Sequence, residues 1–213
     1  MAFFPSSGFH YPDVITRGSR INERIALSFD DGPDAELTPL ILDILEKHKV
    51  QAVFFIIGKK IRGNENILKR IVNDGHIIGN HSWAHTNLWD FYSSKRMAAD
   101  IEKNISETEN LTGKKMKLFR PPFGVINPMV AKAIRKTRVK VITWSFRSFD
   151  TTSSDTAELL KKTVTKVKPG DILLFHDTSG TTAGFLEKLI VTLQQRKYRF
   201  VPLDELINTQ AYE

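Results

Sequence analysis

From residue 24 onward, short apolar blocks bounded by turn residues alternate with longer stretches in which apolar residues recur at helical spacing. Arg24 to Phe29 reads as a strand that runs into Asp30-Asp31-Gly32-Pro33. A helix is predicted over Glu36 to Lys47, where Leu37, Leu40, Ile41, Ile44 and Leu45 fall on one face. Gln51 to Ile57 is a continuous apolar run, the mark of a parallel strand buried on both faces, and Gly58 ends it. Asn64 to Asn73 is helical in pattern, with Gly75 placed for a left-handed cap. A short strand follows over His76 to Gly79.

Farther on, Met97, Ile101 and Ile105 lie four apart in a helix predicted from Ser94 to Asn110. Leu118 to Arg120 is a strand, and Asn127 caps a helix that carries Pro128 in its first turn. Val139 to Trp144 is the next strand, and Asp155 caps a helix running through Val167. Ile172 to Phe175, a helix over Glu187 to Arg196, and a strand over Tyr198 to Leu203 complete the series. About seven strands alternating with helices imply right-handed crossovers and a parallel sheet. The α/β arrangement is therefore an open doubly wound sheet or a barrel of seven units. Residues 1–22, with Phe3, Phe4, Phe9 and Tyr11 among prolines and glycines, read as an irregular lead-in to a single domain over 23–213.

Composition narrows the function classes. The chain of 213 residues is 41% hydrophobic and 10% aromatic, enough for a real core. It has no cysteine, which excludes thiolate metal ligation, disulfides and thiol catalysis. The net charge of +7 favours anionic polymers, but the basic residues are scattered over helices (Lys59, Lys60, Lys69, Arg70, Lys161, Lys162), the pattern of a solvated surface rather than a nucleic-acid site. No run is long enough to span a bilayer. The first twenty residues lack a basic start and a continuous apolar run, so they do not read as a signal peptide. An exported or cell-envelope location follows only if an export segment was removed, and the cytoplasm stays open.

The chemistry-bearing residues gather at strand ends, where parallel α/β barrels keep their active groups. Successive strand residues point to opposite faces, so Asp30 and Asp31 share a site only if the chain turns there, and they invite different tasks. We assign Asp31 to a metal and Asp30 to a base beside it. His81 and His85 follow the third strand. In a helical turn their spacing puts both imidazoles on one face, and with Asp31 they make a two-histidine, one-carboxylate set suited to zinc or a similar metal. Arg120-Pro121-Pro122-Phe123-Gly124 follows the fourth strand, Asp150 the fifth, and His176-Asp177 the sixth.

Phe29-Asp30-Asp31-Gly32-Pro33, His81-Ser-x-x-His85, Arg120-Pro-Pro-Phe-Gly124 and Leu174-Phe175-His176 together resemble the ordered motifs of the polysaccharide deacetylases, the NodB-homology group of carbohydrate esterases (family four). The resemblance runs from about Arg24 to Leu206, nearly the whole chain. It implies a distorted, incomplete (β/α)7 barrel with parallel strands as a catalytic domain over 23–213. It also implies a divalent metal, zinc in the first place with cobalt, nickel or manganese as alternatives. The implied reaction is hydrolysis of acetyl groups from N-acetylated polysaccharide or oligosaccharide.

By the same resemblance Asp30 is the general base and Asp31, His81 and His85 are the metal ligands. Arg120 orients the base, His176 is the general acid, and Asp150 is an acid near it. The Phe123 backbone N–H is an oxyanion donor, and Phe123, Pro122 and Leu174 meet the substrate. The chain departs from the family pattern in three places. Arg147 and Thr151 stand where the fourth motif usually has an acid and a tryptophan, which bears on substrate shape. Phe123 replaces a commoner tyrosine. Two related readings are an O-acetyl esterase acting on xylan-like polymers and a catalytically silent glycan binder. The oligomeric state is not legible.

Overall fold

The computed structural model describes residues 14–213. Phe3, Phe4, Phe9 and Tyr11 of the expected lead-in lie outside the described residues. The strands are β1 (Val14–Ile15), β2 (Arg24–Asp30), β3 (Ala52–Ile56), β4 (Ile77–Asn80), β5 (Leu118–Phe119), β6 (Lys140–Ile142), β7 (Phe146–Arg147), β8 (Ile172–His176) and β9 (Arg199–Phe200). The helices are α1 (Leu37–Lys47), α2 (Glu65–Asn73), α3 (Ser94–Thr112), α4 (Pro128–Thr137), α5 (Thr156–Lys166), α6 (Gly180–Gln195) and α7 (Leu203–Ile207).

All named strand pairs are parallel, in the order β1-β6-β5-β4-β3-β2-β8-β7, with β9 added to the amino end of β2. Among the described residues the end strands β1 and β7 do not pair with each other, so the curled sheet stays open as a half-barrel within one domain. The expected incomplete barrel is what forms, with nine strands rather than seven. The two unforeseen strands, β1 and β7, have two residues each, too few to leave a periodic signature. β1 also corrects the expectation for residues 14 and 15: they are not irregular but extend the sheet beside β6.

The period of two along each strand sorts the core. In β2, Ile25, Leu27 and Phe29 join the large cluster under α1 and α6, together with Phe54 of β3 and Leu173 and Phe175 of β8. Ala26 turns the other way, into a cluster with Val53, Phe55, Ile142 and Ile172 inside the curl. Asp30 therefore shares its face with Ala26 and Ser28, and His176 shares its face with Ile172 and Leu174. The register sets Asp30 opposite His176 and Ser28 opposite Leu174.

The caps expected at Asn127 and Asp155 form, and Ser93 adds one that was not expected. Ser93 accepts from the Arg96 N–H, Asn127 from Met129 and Val130, and Asp155 from Glu158. The helix expected from Glu187 starts seven residues earlier, at Gly180. Its first turns carry two glycines and two threonines, which are poor helix formers, but Thr182, Phe185 and Leu186 are buried there, and packing overrides propensity. Leu203, expected as the last residue of a strand, instead opens the short helix α7 after Pro202.

Candidate active site

Asp30 is the last residue of β2, and Asp31 leaves the strand with φ at 77°. That left-handed step turns the chain, so both acids line one cavity of about 290 Å³. Close packing behind the turn requires Gly32: a Cβ there would lie 1.9 Å from Asp177 Oδ2. Asp177 is buried behind this turn with the Thr38 hydroxyl donating to it at 2.6 Å. Burial outweighs that bond and pushes its carboxyl up to about 7.

Asp30 sits in a buried ion pair. Arg120, fully buried at the end of β5, donates from Nη1 to Asp30 Oδ1 at 2.6 Å and to Ser28 Oγ at 3.0 Å. Its other donors reach the carbonyls of Ile142 and Thr143, and its plane lies 4.1 Å over the Phe55 ring. Burial works against the guanidinium charge and Asp30 works for it. With Oδ1 committed to Arg120, Oδ2 faces His81 Nε2 at 3.8 Å.

His81 and His85 do converge, but not on a helical turn. The segment after β4 is a loop in which Ser82 and His85 both have positive φ, 68° and 42°. It is pinned from α3: Asp100 accepts from the Trp83 and Ala84 N–H groups, and Asn104 donates to the Ser82 carbonyl. Ser82 N–H donates to Asn80, and His85 N–H to the Ser82 hydroxyl. These contacts bring the two Nε2 atoms to 3.1 Å of each other and to 3.6 and 3.4 Å from Asp31 Oδ1. His81 Nδ1–H donates to the Arg120 carbonyl at 2.7 Å, which leaves the Nε2 lone pair facing the acids.

Among the described residues, Asp31, His81 and His85 are the group whose ligand atoms lie close enough to hold a metal ion. Asp31 Oδ1 is buried with no hydrogen-bond partner among the described residues, as an atom reserved for a cation would be. The donor set fits a divalent metal. Burial, then the neighbouring His81, lowers the His85 pKa to about 4, so that its ring is neutral, as ligation requires.

Across the cavity His176 ends β8. Asp150 accepts from its Nδ1–H at 2.9 Å and from its backbone N–H at 2.7 Å. Asp150 is itself buried and takes further bonds from Ser148 and Thr182. Burial alone would lower the His176 pKa, but the bond to Asp150 and the charges of Asp150, Asp30 and Asp31 raise it above its ordinary value. For Asp150, burial pulls upward and the His176, Thr182 and Ser148 bonds win, holding it below the usual carboxylate range.

Phe123, exposed and with φ at 57°, forms a wall with its ring 5.0 Å from His85. Leu174 lies on the cavity floor. Arg120 and Asp150 reach the cavity only through Asp30 and His176, and Pro122 is buried at the start of the turn that presents Phe123. Asp100 and Asn104 were missed by sequence reading. Their one signal is that Asp100 and Asn104 are polar residues four apart next to the apolar stripe of α3.

The sequence profile of the family described as polysaccharide deacetylase matches residues 17–142. A peptidoglycan-N-acetylglucosamine deacetylase of Bacillus cereus is 40% identical over 138 residues, 62% of this chain and 48% of the relative. A peptidoglycan-N-acetylmuramic acid deacetylase of Bacillus subtilis is 32% identical over 139 residues, 65% of this chain and 52% of the relative. The chain thus spans about half the length of these curated relatives. A solved peptidoglycan N-acetylglucosamine deacetylase superposes with a TM-score of 0.88 at 32% identity, covering 94% of this chain and 95% of that one.

Proposed function

We propose, because the chain belongs to the polysaccharide deacetylase family, that it hydrolyses N-acetyl groups from a polysaccharide of the N-acetylglucosamine type, releasing acetate and a free amine. One observation carries this reading. A convergent Asp31-His81-His85 set lies beside an arginine-held acid, with an aspartate-held histidine on the same cavity.

Asp31, His81 and His85 would hold a divalent metal, zinc in the first place, which supplies Lewis acidity toward the acetyl carbonyl and water. Asp30 is the base. Arg120 fixes Oδ1, so Oδ2 is the oxygen that takes a proton as water attacks. His176 is the acid: its Nδ1–H is tied to Asp150, so Nε2 is the atom that delivers a proton to the departing amine. A pKa raised, against burial, above the ordinary value by the bond to Asp150 favours the protonated, acid form of His176. Asp150 positions His176, and Arg120 positions Asp30. Leu174 offers an apolar surface for the acetyl methyl. Phe123, held left-handed at the cavity wall, would present its backbone N–H toward the developing oxyanion.

The test is metal analysis of the purified chain together with acetate release from peptidoglycan, chitooligosaccharides and acetylxylan. Acetate from the N-acetylated glycans, abolished by chelation and restored by zinc, is the expected result. Release from acetylxylan alone would move the assignment to an O-acetyl esterase, and no release from any of the three would overturn it.

A further inference from the structure

Arg147, on β7, is in register with Leu174 of β8, and its side chain lines the same cavity as Asp30, His81 and His176. Other cations near this cavity have partners: Arg120 is paired with Asp30, and Lys60 donates to the Asp31 carbonyl at 2.8 Å. Arg147 Nε, by contrast, is buried without a hydrogen-bond partner among the described residues. Its guanidinium carbon lies 5.0 Å from the centre of the Phe149 ring, and Lys162 Nζ lies 4.0 Å from the same ring. Phe149 is held at a φ of 67°, so a strained backbone keeps this aromatic between two cations.

A part-buried guanidinium with an unused donor is costly unless an anion meets it, and its planar fork matches a carboxylate. The strand order separates this cation from the metal-type cluster. β7 lies at one end of the sheet, beyond β8 and β2, while His81 and His85 follow β4 on the other side of β2. Arg120 is paired with Asp30 and Asp150 with His176, so among the described residues Arg147 is a cation of this cavity that faces no carboxylate partner.

We propose that Arg147 makes this site selective for N-acetylated sugars that carry a carboxylate, the N-acetylmuramic acid class, over neutral N-acetylglucosamine. This rests on the deacetylase reading above. In muramic acid the lactyl ether is on the ring carbon next to the one bearing the acetamido group. A carboxylate so placed travels within a few bonds of the scissile amide, as Arg147 is one strand across from Leu174. Arg147 thereby acts on specificity by binding, with no part in proton transfer.

The experiment compares matched glycans: peptidoglycan strands stripped of their stem peptides, so that the muramic carboxylates are free, and the same strands with those carboxylates converted to neutral methyl esters. Acetate release by the zinc-loaded chain is measured with calorimetric binding to the metal-free chain, for wild type, Arg147→Gln and Arg147→Lys. Wild type should favour the carboxylate by about tenfold, the size of one charge-assisted hydrogen bond, and Arg147→Gln should bring the ratio close to one. Arg147→Lys should keep part of it, and Lys132→Gln, on the exposed face of α4, should leave it intact. An equal ratio in wild type and Arg147→Gln, or equal loss on both glycans, overturns the proposal. If no acetate is released from either glycan, the deacetylase reading fails. The binding ratio then still decides, since a carboxylate preference that disappears in Arg147→Gln upholds the role of Arg147 and its absence in wild type refutes it.

Discussion

At the amino end of β4, His76 is buried, its Nδ1 accepts from the Ala52 N–H at 3.2 Å, and its ring meets Phe54 edge-on at 5.6 Å. At the carboxyl end of the same strand, His81 is as deeply buried, yet its Nδ1 donates to a carbonyl and its Nε2 faces a second imidazole and two acids. Burial and residue type are thus the same at both ends. What differs is what stands around the free nitrogen. His76 Nε2 has no hydrogen-bond partner among the described residues, and its surroundings hold it neutral as a fixed acceptor for β3. His81 Nε2 points to where ligand atoms converge. Convergence, rather than burial, marks a reactive site.

The sharpest break in this contrast comes from the site end. His81→Ala should lose both metal and turnover, whereas Asp30→Asn should keep metal and lose turnover by roughly 10²–10⁴, the range of a positioned base. Metal analysis beside acetate-release rates checks this, and equal metal loss in both variants would refute the division of roles. Because Asn can still accept from Arg120, Asp30→Asn should also fold, which thermal denaturation would verify.

A smaller effect is expected at Asp150. His176 has a pKa raised over its unfolded value, so its pair with Asp150 stabilises fully below the unfolded pKa and is lost as pH rises through the folded one. In Asp150→Asn, burial is left to lower the His176 pKa, and the alkaline limb of the rate profile should move to lower pH. An unmoved limb would separate His176 from the acid role.

The smallest effect belongs to the amino end. Burial lowers the His76 pKa from 6.5 to about 4, with Asp74 pulling upward and Arg70 downward. The unfolded chain therefore binds the proton first, and stability should fall as pH drops from 6.5 toward 4. The loss should be on the order of 2 kcal/mol by pH 5. Urea unfolding at pH 7 and pH 5 should show this loss shrinking in His76→Gln, with turnover at neutral pH little changed. A turnover loss matching that of His81→Ala would erase the distinction between the two ends.

Much of this was legible in advance because it depends on near neighbours. Caps at Asn127 and Asp155 need only residues two or three positions away. The apolar run of β3 needs only its own composition. The histidine pair was identified with the wrong local geometry: its spacing suits a helical turn, but Asp100 and Asn104 on α3 hold it as a loop. β1 and β7 were illegible since two-residue strands exist only by virtue of the strands beside them. Arg147 could be seen as a departure from the family pattern, but not as a cation whose buried Nε meets no acceptor among the described residues.

Alternation along β2 and β8 already places Asp30 on the face of Ser28, and His176 on the face of Leu174. That follows from backbone geometry, which is local. Which oxygen of Asp30 is free, and which nitrogen of His81 carries the proton, are settled by Arg120, 90 residues from the first and 39 from the second. Such choices depend on groups that only the folded sheet brings within hydrogen-bonding range, since a hydrogen bond vanishes within an ångström or so of separation and sequence distance says nothing about it.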